Sequence, residues 1–389
     1  MRSIQLLAVN LLISFFRDDE EITTNGAYKS DSWTNVTDKI YLLTERKLMQ
    51  KIDHPIYHMG NIIKHYFKNA FIFKPQIPIV SVKENFDNLL VPVHHPSRRK
   101  SDCYYLNQSI MLRSHCTAHY SKIGQVDNEI RLILGDCYRR DSIDRHHYPC
   151  FHQCDVVYIP KHNDDIQSFK DILESFIRFL FKLKSITPEI RWVDAYFPFT
   201  DPSFELEIKC KKTNKWLEVL GCGKLRNELC ESLFNVDNKS SIFASGIGID
   251  RLAMLFYDIT DIRVLWSHDE GILHQFRNLA SSLSHVSFRN ISSYPPCIMD
   301  ISFWIDGNKG EAWNRHEVLH NFYEIVRDVA GDIVEHVDLK DVYALDSDIS
   351  YCFRIYYRSM VRNLTKSEVK QFHEKIEKEL ELKLNFKIR

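Results

Sequence analysis

The densest group of reactive side chains lies between Gly135 and Asp155, in the run GDCYRRDSIDRHHYPCFHQCD. Arg139 and Arg140 follow a β-prone apolar segment, 129–134, at the point where a strand would end, and a second apolar segment covers 151–160. A guanidinium at a strand end can bind a phosphate through two hydrogen bonds and stabilise the charge that develops during attack on phosphorus. The pattern therefore predicts a β-hairpin whose long loop handles a phosphate.

The same run offers sulfur and imidazole ligands, which raises the alternative of a metal site. Cys150, His152 and Cys154 alternate, so a strand would point all three to one face. Their spacing matches no usual structural zinc site, and the strand supplies no second ligand pair. Buried reduced thiols explain them better. The chain's ten cysteines have no regular spacing, which indicates a reducing compartment rather than a disulfide framework.

Three glutamates in β-prone segments could bind a cation or an ammonium group. Glu218 lies between Leu217 and Val219, so in a strand it faces the opposite way from both. A carboxylate in mid-strand is costly unless it is paired, which favours a functional role as a ligand of an amino group or of magnesium. Glu205 and Glu207 share a face by the same alternation and are weaker metal candidates, since solvent exposure would also explain them.

Short strands dominate the region that carries these residues. The pattern predicts extended segments over 129–138, 151–160, 203–210, 215–222 and 241–245. It predicts helices over 39–51, 56–67 and 165–183, and a further helix where 246–257 turns back behind the sheet. Because most of the strands follow one another through short connections, they indicate an antiparallel sheet rather than a doubly wound fold.

A second unit follows a polar, serine-rich connector. Its predicted order of strand, helix, strand, strand, helix is typical of a ferredoxin-like fold: 296–305, 316–330, 333–343, 350–358 and 366–384. Thr365 and Glu368 form a capping box for the last helix. The apolar stripe of that helix is predicted to be core: Val369, Phe372, Ile376 and Leu380.

Charge is balanced over the whole chain but not along it. The 389 residues are 44% hydrophobic and 26% charged with a net charge of -1, which is typical of a soluble globular protein without a global preference for nucleic acid. From Tyr351 to Arg389, however, ten Lys or Arg residues stand against five Glu. This end could bind RNA, although a solvated helix face explains the charge equally well.

Several blocks, taken in order, resemble the class II aminoacyl-tRNA synthetases, in the form of the single-chain mitochondrial phenylalanyl-tRNA synthetases. The run 135–155 resembles motif 2 of that class, and Gly246 to Met254 resembles motif 3. The resemblance covers about His54 to the C-terminus. Three further blocks agree with it: Asn85 to Asp87 with His95 to Arg98, Arg191 and Trp192 leading into Phe197 to Thr200, and Trp216 to Gly223.

The resemblance implies an α+β fold in which a class II antiparallel sheet flanked by helices precedes a ferredoxin-like anticodon-binding domain. The expected divisions are a targeting segment and disordered lead-in over 1–38, a catalytic domain over 39–268, a linker over 269–292 and the anticodon-binding domain over 293–389. It also implies ligation of L-phenylalanine to tRNA(Phe) through a phenylalanyl-adenylate, with ATP and Mg²⁺. The expected enzyme is a monomer of the mitochondrial matrix that binds no membrane.

Such chemistry needs positioning and charge stabilisation rather than a nucleophilic side chain. The resemblance makes Arg139, Arg251 and Glu218 the catalytic residues, with Arg139 on the α-phosphate and Arg251 on the terminal phosphate of ATP. The implied ATP-binding set is Arg139, His146, His147, Tyr148, Gly246, Gly248 and Arg251. The implied phenylalanine-binding set is His115, Thr117, Ala118, His119, Tyr120, Gln153, Cys154, Asp155, Phe197, Phe199, Glu218, Ala244 and Ser245. The implied metal set is Glu218, Glu205 and Glu207.

Some positions depart from the family pattern. Thr117 replaces a serine but keeps the hydroxyl, while Asp155 and Asp250 are each one methylene shorter than the usual residue. Ser245 stands where the family has a phenylalanine, and we hypothesise that Phe243, two positions back, supplies the missing aromatic surface. An apolar pocket rejects an added hydroxyl by only about a hundredfold. Because no editing module is recognisable, we expect measurable tyrosine misactivation without hydrolysis of tyrosyl-tRNA.

The sequence also permits two alternative functions and one alternative location. Ser245 permits a class II-like ligase for another amino acid, whereas intact Arg139, Arg251 and Glu218 argue against a catalytically silent RNA-binding paralogue. The apolar run over 1–16 is too short to span a bilayer. Its composition fits a secretory signal about as well as a mitochondrial one, and only the resemblance favours mitochondria.

Overall fold

The computed structural model describes residues 28–124, 126–161, 164–210, 214–235, 241–268, 270–277, 288, 294–305, 315–345 and 348–389. The predicted targeting segment, most of the predicted lead-in and most of the predicted connector fall outside these residues. The described helices are α1 Asp38–Thr44, α2 Pro55–Tyr66, α3 Val82–Asn85, α4 Tyr120–Ile123, α5 Ile166–Lys182, α6 Asn227–Phe234, α7 Ile249–Tyr257, α8 Arg263–Trp266, α9 Glu270–His274, α10 Arg315–Ala330 and α11 Lys366–Leu384. The described strands are β1 Phe71–Phe73, β2 Ile79–Ser81, β3 Ile110–Leu112, β4 Ile130–Tyr138, β5 Cys150–Tyr158, β6 Ile190–Phe197, β7 Thr200–Lys209, β8 Trp216–Leu225, β9 Phe243–Gly248, β10 Cys297–Ile305, β11 Val334–Leu345, β12 Asp348–Tyr357 and β13 Lys387–Ile388.

A seven-stranded sheet in the order β1-β4-β5-β9-β8-β7-β6 forms the centre of the first domain. All neighbouring strands in it are antiparallel except the edge pair β1 and β4. Alternate residues of β4 show its two faces. Leu132 and Leu134 pack in the main core with residues of α2, α5 and α7, whereas Ile133 packs in a smaller core with residues of α4 and α6. The larger helices therefore cover one face, and part of the other face is left for a site.

The C-terminal domain has the predicted ferredoxin-like order. Its sheet runs β11-β12-β10-β13, and α10 and α11 contribute to a separate hydrophobic core. The capping box of Thr365 and Glu368 is formed. Val369, Ile376 and Leu380 are fully buried, and Phe372 packs at the edge of the same core, so the prediction that the apolar stripe is core is confirmed.

Some element boundaries differ from the sequence prediction. The helix expected over 39–51 ends at Thr44, and a 3₁₀ turn, Leu48–Gln50, follows Lys47, whose φ of 45° is left-handed and cannot continue a helix. Strands β1 and β6 and helix α6 are additional elements. The turn expected at Gly246 is instead the middle of β9, which continues to Gly248 before α7 begins.

Polar contacts join the two domains. Tyr104 donates to Glu324 at 3.0 Å, Arg145 donates to Glu335 at 2.9 Å, and Arg263 Nη1 donates to the carbonyl oxygen of Asp332 at 2.8 Å. All ten cysteines are free thiols. None of the helices in the described part of the chain has the length and apolarity needed to cross a membrane.

Candidate active site

Two adjoining cavities lie on the sheet face that the larger helices leave open. Their volumes are about 530 Å³ and 160 Å³. Both are lined by Arg139, Asp141, Gln153, Glu218 and Gly246. Arg139, the arginine predicted to bind the α-phosphate, therefore stands where the two cavities meet, whereas Arg140 lines only the larger cavity and Arg251 only the smaller one.

A buried guanidinium fixes the strand that leads to Arg139. Arg113 is fully buried, donates through Nε to the carbonyl oxygen of Asp136 at 2.5 Å, and forms an ion pair with the Asp136 carboxylate. A Cβ on Gly135 would lie 2.9 Å from Arg113 Nη2, so glycine at position 135 lets the strand approach the guanidinium without a shift of either. Arg139 Nε in turn donates to the carbonyl oxygen of Ser114 at 2.7 Å, which holds this guanidinium at the edge of both cavities.

The larger cavity has an aromatic wall. The rings of Phe197 and Phe199 are stacked, with 6.0 Å between centroids and 11° between planes. Gly221 lies against this pair, since a Cβ there would come within 2.7 Å of Phe197 Cζ. Two parallel rings beside an open space suit an aromatic side chain of a small ligand.

A hydrogen-bonded carboxylate supports the polar wall of the same cavity. Asp155 accepts from Thr117 Oγ1 and from Gln153 Nε2, both at 2.8 Å, and is 1% exposed. Burial raises the pKa of Asp155 to about 7, although these hydrogen bonds oppose the shift. Gly246 makes room for the amide, because a Cβ there would lie 2.3 Å from Gln153 Nε2. Asp155 therefore orients Thr117 and Gln153 from behind.

A β-bulge turns Glu218 toward the site. Glu207 pairs with Glu218 and Leu206 pairs with Leu220, so Val219 is the extra residue in β8. Val219 and Leu220 both pack in the main core. The bulge thereby places Glu218 on the cavity face of β8, where simple alternation with Leu220 would have placed it in the core.

The smaller cavity is lined by all seven predicted ATP residues: Arg139, His146, His147, Tyr148, Gly246, Gly248 and Arg251. Arg251 donates to a Glu218 carboxylate oxygen at 2.9 Å and to His147 Nε2 at 3.3 Å. The His147 ring is also hydrogen-bonded to Asp144 at 2.7 Å, and this bond raises the pKa of His147. Burial lowers the pKa of His146.

The structure does not bring every residue of the predicted phenylalanine-binding set to the larger cavity. Most of that set lines the larger cavity: His115, Thr117, Tyr120, Gln153, Phe197, Phe199, Glu218, Ala244 and Ser245. Burial, and then Arg139, lowers the pKa of His115 to about 3, so its ring is neutral. Ala118 packs in a small core, and His119 lies against Arg113 at 3.2 Å. Cys154 points into the main core, because it alternates with Gln153 and Asp155 along β5.

The hypothesis about Phe243 is wrong. Its ring is buried and stacks on Phe169 and Tyr158 in the main core, and it does not line the cavity. Ser245 shares that strand face with Phe243 and Ile247, so its side chain points toward the core although the residue borders the cavity. The Ser245 hydroxyl is buried without a hydrogen-bond partner among the described residues. Ala244 faces the ligand side instead.

The three predicted metal ligands do not form a preformed set. Glu207 is paired with Arg191 at 2.5 Å. Burial, followed by the charges of Glu218 and Glu207, raises the pKa of Glu205. Across the described ranges, only Asp102, His316 and His320 bring three candidate ligand atoms within 4.8 Å of one another.

Other residues that line the larger cavity have no role predicted from the sequence. His95, Ser97, Asp102 and Ser114 contribute from the first domain, and His316 and His320 contribute from α10 of the second. The two α10 residues have a recognisable signal, the spacing His-Glu-x-x-His over 316–320. No sequence signal marks Asp102, because only the folding of the chain brings this residue to the cavity.

Comparison with known protein families identifies the class of protein. The family model described as "tRNA synthetases class II core domain (F)" matches residues 40–276, and the "Ferredoxin-fold anticodon binding domain" matches residues 292–389. Fold and site thus define a class II aminoacyl-tRNA synthetase with a C-terminal anticodon-binding domain.

Similar proteins show which family within this class the chain belongs to. The "Probable phenylalanine--tRNA ligase, mitochondrial" of Drosophila melanogaster is 37% identical, over 91% of this chain and 89% of that protein. The "Phenylalanine--tRNA ligase, chloroplastic/mitochondrial" of Arabidopsis thaliana is 39% identical, over 95% and 86%, and the mitochondrial ligase of Mus musculus is 37% identical, over 90% and 85%. The chain belongs to the family of mitochondrial phenylalanine-tRNA ligases.

Proposed function

We propose that this protein ligates L-phenylalanine to tRNA(Phe) through a phenylalanyl-adenylate, for mitochondrial translation. The observation that carries the proposal is the pair of adjoining cavities, one with an aromatic wall and one lined by arginine and histidine, which meet at Arg139. An amino acid in the first and ATP in the second would bring the carboxylate and the α-phosphorus together at that residue.

Arg139 and Arg251 would stabilise the reacting phosphates. The amino-acid carboxylate attacks the α-phosphorus, the bond to the bridging oxygen breaks, and pyrophosphate leaves. Arg139, held by Ser114, neutralises charge on the α-phosphate. Arg251, now paired with Glu218, would exchange part of that pairing for the terminal phosphate, while Gly246 and Gly248 let the nucleotide approach β9.

Phenylalanine would bind with its ring between the aromatic wall and Ala244 and with its ammonium group near the polar wall. Thr117 and Gln153 supply hydrogen-bonding atoms, and Glu218 supplies negative charge. Asp155 acts through Thr117 and Gln153, because both of its oxygens are engaged by these side chains. It is therefore a positioning residue in this proposal.

Mg²⁺ would arrive with ATP. Glu205 and Glu218 fit such an ion, because negative charge from Glu218 and Glu207 contributes to the raised pKa of Glu205 and a cation would relieve that repulsion. Since these carboxylates are not gathered as a ligand set, the phosphates would supply the remaining ligands. The ion would neutralise charge on the phosphates during transfer.

Pyrophosphate exchange with each amino acid in turn, with and without tRNA, tests the proposal. Phenylalanine alone should support exchange. Exchange with a different amino acid would favour the alternative ligase. The departure at Ser245, which suggested that alternative, supports it less because the Ser245 side chain shares the core-facing side of β9 with Phe243 and Ile247. No exchange with any amino acid would favour the silent RNA-binding paralogue.

The finer assignments are also proposals. We infer a monomer of the mitochondrial matrix without membrane binding, with domains at 39–268 and 293–389, a linker at 269–292 and a lead-in at 1–38. Sedimentation at micromolar concentration tests the monomer. A fluorescent fusion of residues 1–40 tests the location, and secretory fluorescence would overturn it. The basic segment 351–389 is proposed to contact tRNA, although Arg354 and Arg358 are paired with Asp300 and Glu335.

A further inference from the structure

Asp102, His316 and His320 line the larger cavity together and are not among the residues assigned to phenylalanine or ATP. His316 and His320 are four residues apart on α10, so they share one helix face. Their rings stack with 4.1 Å between centroids. Helical histidines at this spacing, in the pattern His-Glu-x-x-His, are a common way to bind zinc.

The third side chain comes from the other domain. Asp102 Oδ1 lies 3.4 Å from His316 Nε2, and one ligand atom from each of the three residues falls within 4.8 Å of the others. Zinc bonds of about 2.0–2.1 Å in a tetrahedron place ligand atoms about 3.3 Å apart. The pair of His316 and Asp102 already meets that spacing, and a small side-chain rotation would bring in His320.

The surroundings favour a cation. Ser101 Oγ donates to Asp102 Oδ2 at 2.7 Å, which orients the carboxylate in the way that metal ligands are usually oriented by their neighbours. Nδ1 of His316 and Nδ1 of His320 are buried and have no hydrogen-bond partner among the described residues. The nearby Arg140 donates instead to the carbonyl oxygen of Lys100 at 2.6 Å and to Asn321 at 3.2 Å.

We propose that Asp102, His316 and His320 bind one divalent transition-metal ion, with zinc as the best match, that joins the two domains beside the active-site cavity. Two imidazoles and one carboxylate select such ions over Mg²⁺, which prefers oxygen ligands and octahedral geometry. A water molecule or a group in the cavity would complete the coordination. Glu317 points elsewhere, toward a separate cavity, so the site does not have the arrangement of a zinc protease.

Because its ligands come from both domains, the complete ligand set exists only while the domains are in contact. Mass action then favours that arrangement whenever the ion is present. The consequence rests on the function proposed above: the ion would hold α10 against the cavity proposed to bind phenylalanine.

Cobalt titration of the full-length, chelator-treated protein tests the site directly. Co²⁺ should bind at one equivalent, give visible absorption bands typical of coordination by nitrogen, and be displaced by Zn²⁺. Asp102→Asn and His320→Ala should each weaken binding by at least about tenfold, since even the neighbours of metal ligands contribute that much. His65→Ala changes an exposed histidine on α2 and should leave binding unchanged.

The outcomes are distinct from those of the activity assay. Absence of saturable cobalt binding, or equal loss in the His65 variant, would overturn the metal site even if phenylalanine is activated. Unchanged binding in Asp102→Asn would overturn the link between the domains. Small-angle scattering adds a second measurement: Zn²⁺ should make the wild type more compact and have no effect on His320→Ala.

Discussion

The packing of Gly221 against Phe197 makes a quantitative test of the amino-acid pocket possible. In Gly221→Ala the new Cβ would lie 2.7 Å from Phe197 Cζ, about 0.7 Å inside the 3.4 Å at which ordinary contact begins. Phe197 is half-buried and borders the cavity, so its ring can move into the space reserved for the substrate ring. Overpacking costs about 1–3 kcal/mol. If that cost falls on substrate binding, the KM for phenylalanine rises about 5- to 150-fold.

Pyrophosphate exchange at varied phenylalanine concentration measures this effect. We expect kcat to change by less than about threefold, because the lost contact is made in the ground state and the transition state alike. Gly60→Ala is the matched control, since its Cβ would have its nearest neighbours at 3.7 and 3.8 Å and lies within α2. An unchanged KM in Gly221→Ala, or an equal rise in Gly60→Ala, would refute the assignment of this wall to the substrate ring.

Three further predictions concern charge, pH and the strand face of Ser245. Arg139→Ala should lower kcat of pyrophosphate exchange about 10²- to 10³-fold, whereas Arg178→Ala, an exposed arginine on α5, should leave it unchanged. Because the pKa of Asp155 is raised to about 7 in the folded state, its stabilising contribution is present below about pH 4 and is lost as pH rises through 7. In urea unfolding between about pH 4 and pH 7, the free energy of unfolding of the wild type should therefore fall relative to that of Asp155→Asn. The same pH dependence in both proteins would contradict the burial argument. Ser245→Ala removes a buried hydroxyl that has no hydrogen-bond partner in the described part of the chain, so it should raise the free energy of unfolding by about 1 kcal/mol. The ratio of phenylalanine to tyrosine activation should stay the same. A changed ratio would place the hydroxyl in the substrate pocket.

The sequence predicted the class of site more successfully than the direction of individual side chains. Strand alternation correctly placed Gln153 and Asp155 on one face. Strand alternation also placed Phe243 and Ser245 on the same face of β9. Whether that face points to the core or to the cavity depends on which helices pack against it. Helix α5 supplies Phe169, and the Phe243 ring packs against it in the core rather than lining a pocket.

The bulge in β8 shows a second limit. The alternation argument gave Glu218 the correct face relative to Leu217 and Val219. It could not show that Val219 and Leu220 both pack in the core and that Gly221 then joins Glu218 beside the cavities. Bulges depend on the register with the neighbouring strand, which is set by pairing between distant segments.

By itself the sequence determined the chemical inventory: two arginines for phosphates, two phenylalanines spaced to stack, glycines beside them, and the order of elements in both domains. Only the tertiary structure decided which of these meet. Arg251 reaches Glu218 across 33 positions of the chain, and Asp102 reaches His316 from a different domain. The physical reason is that local propensity and periodicity act within a segment, whereas contacts between segments are selected by the packing of whole helices and sheets.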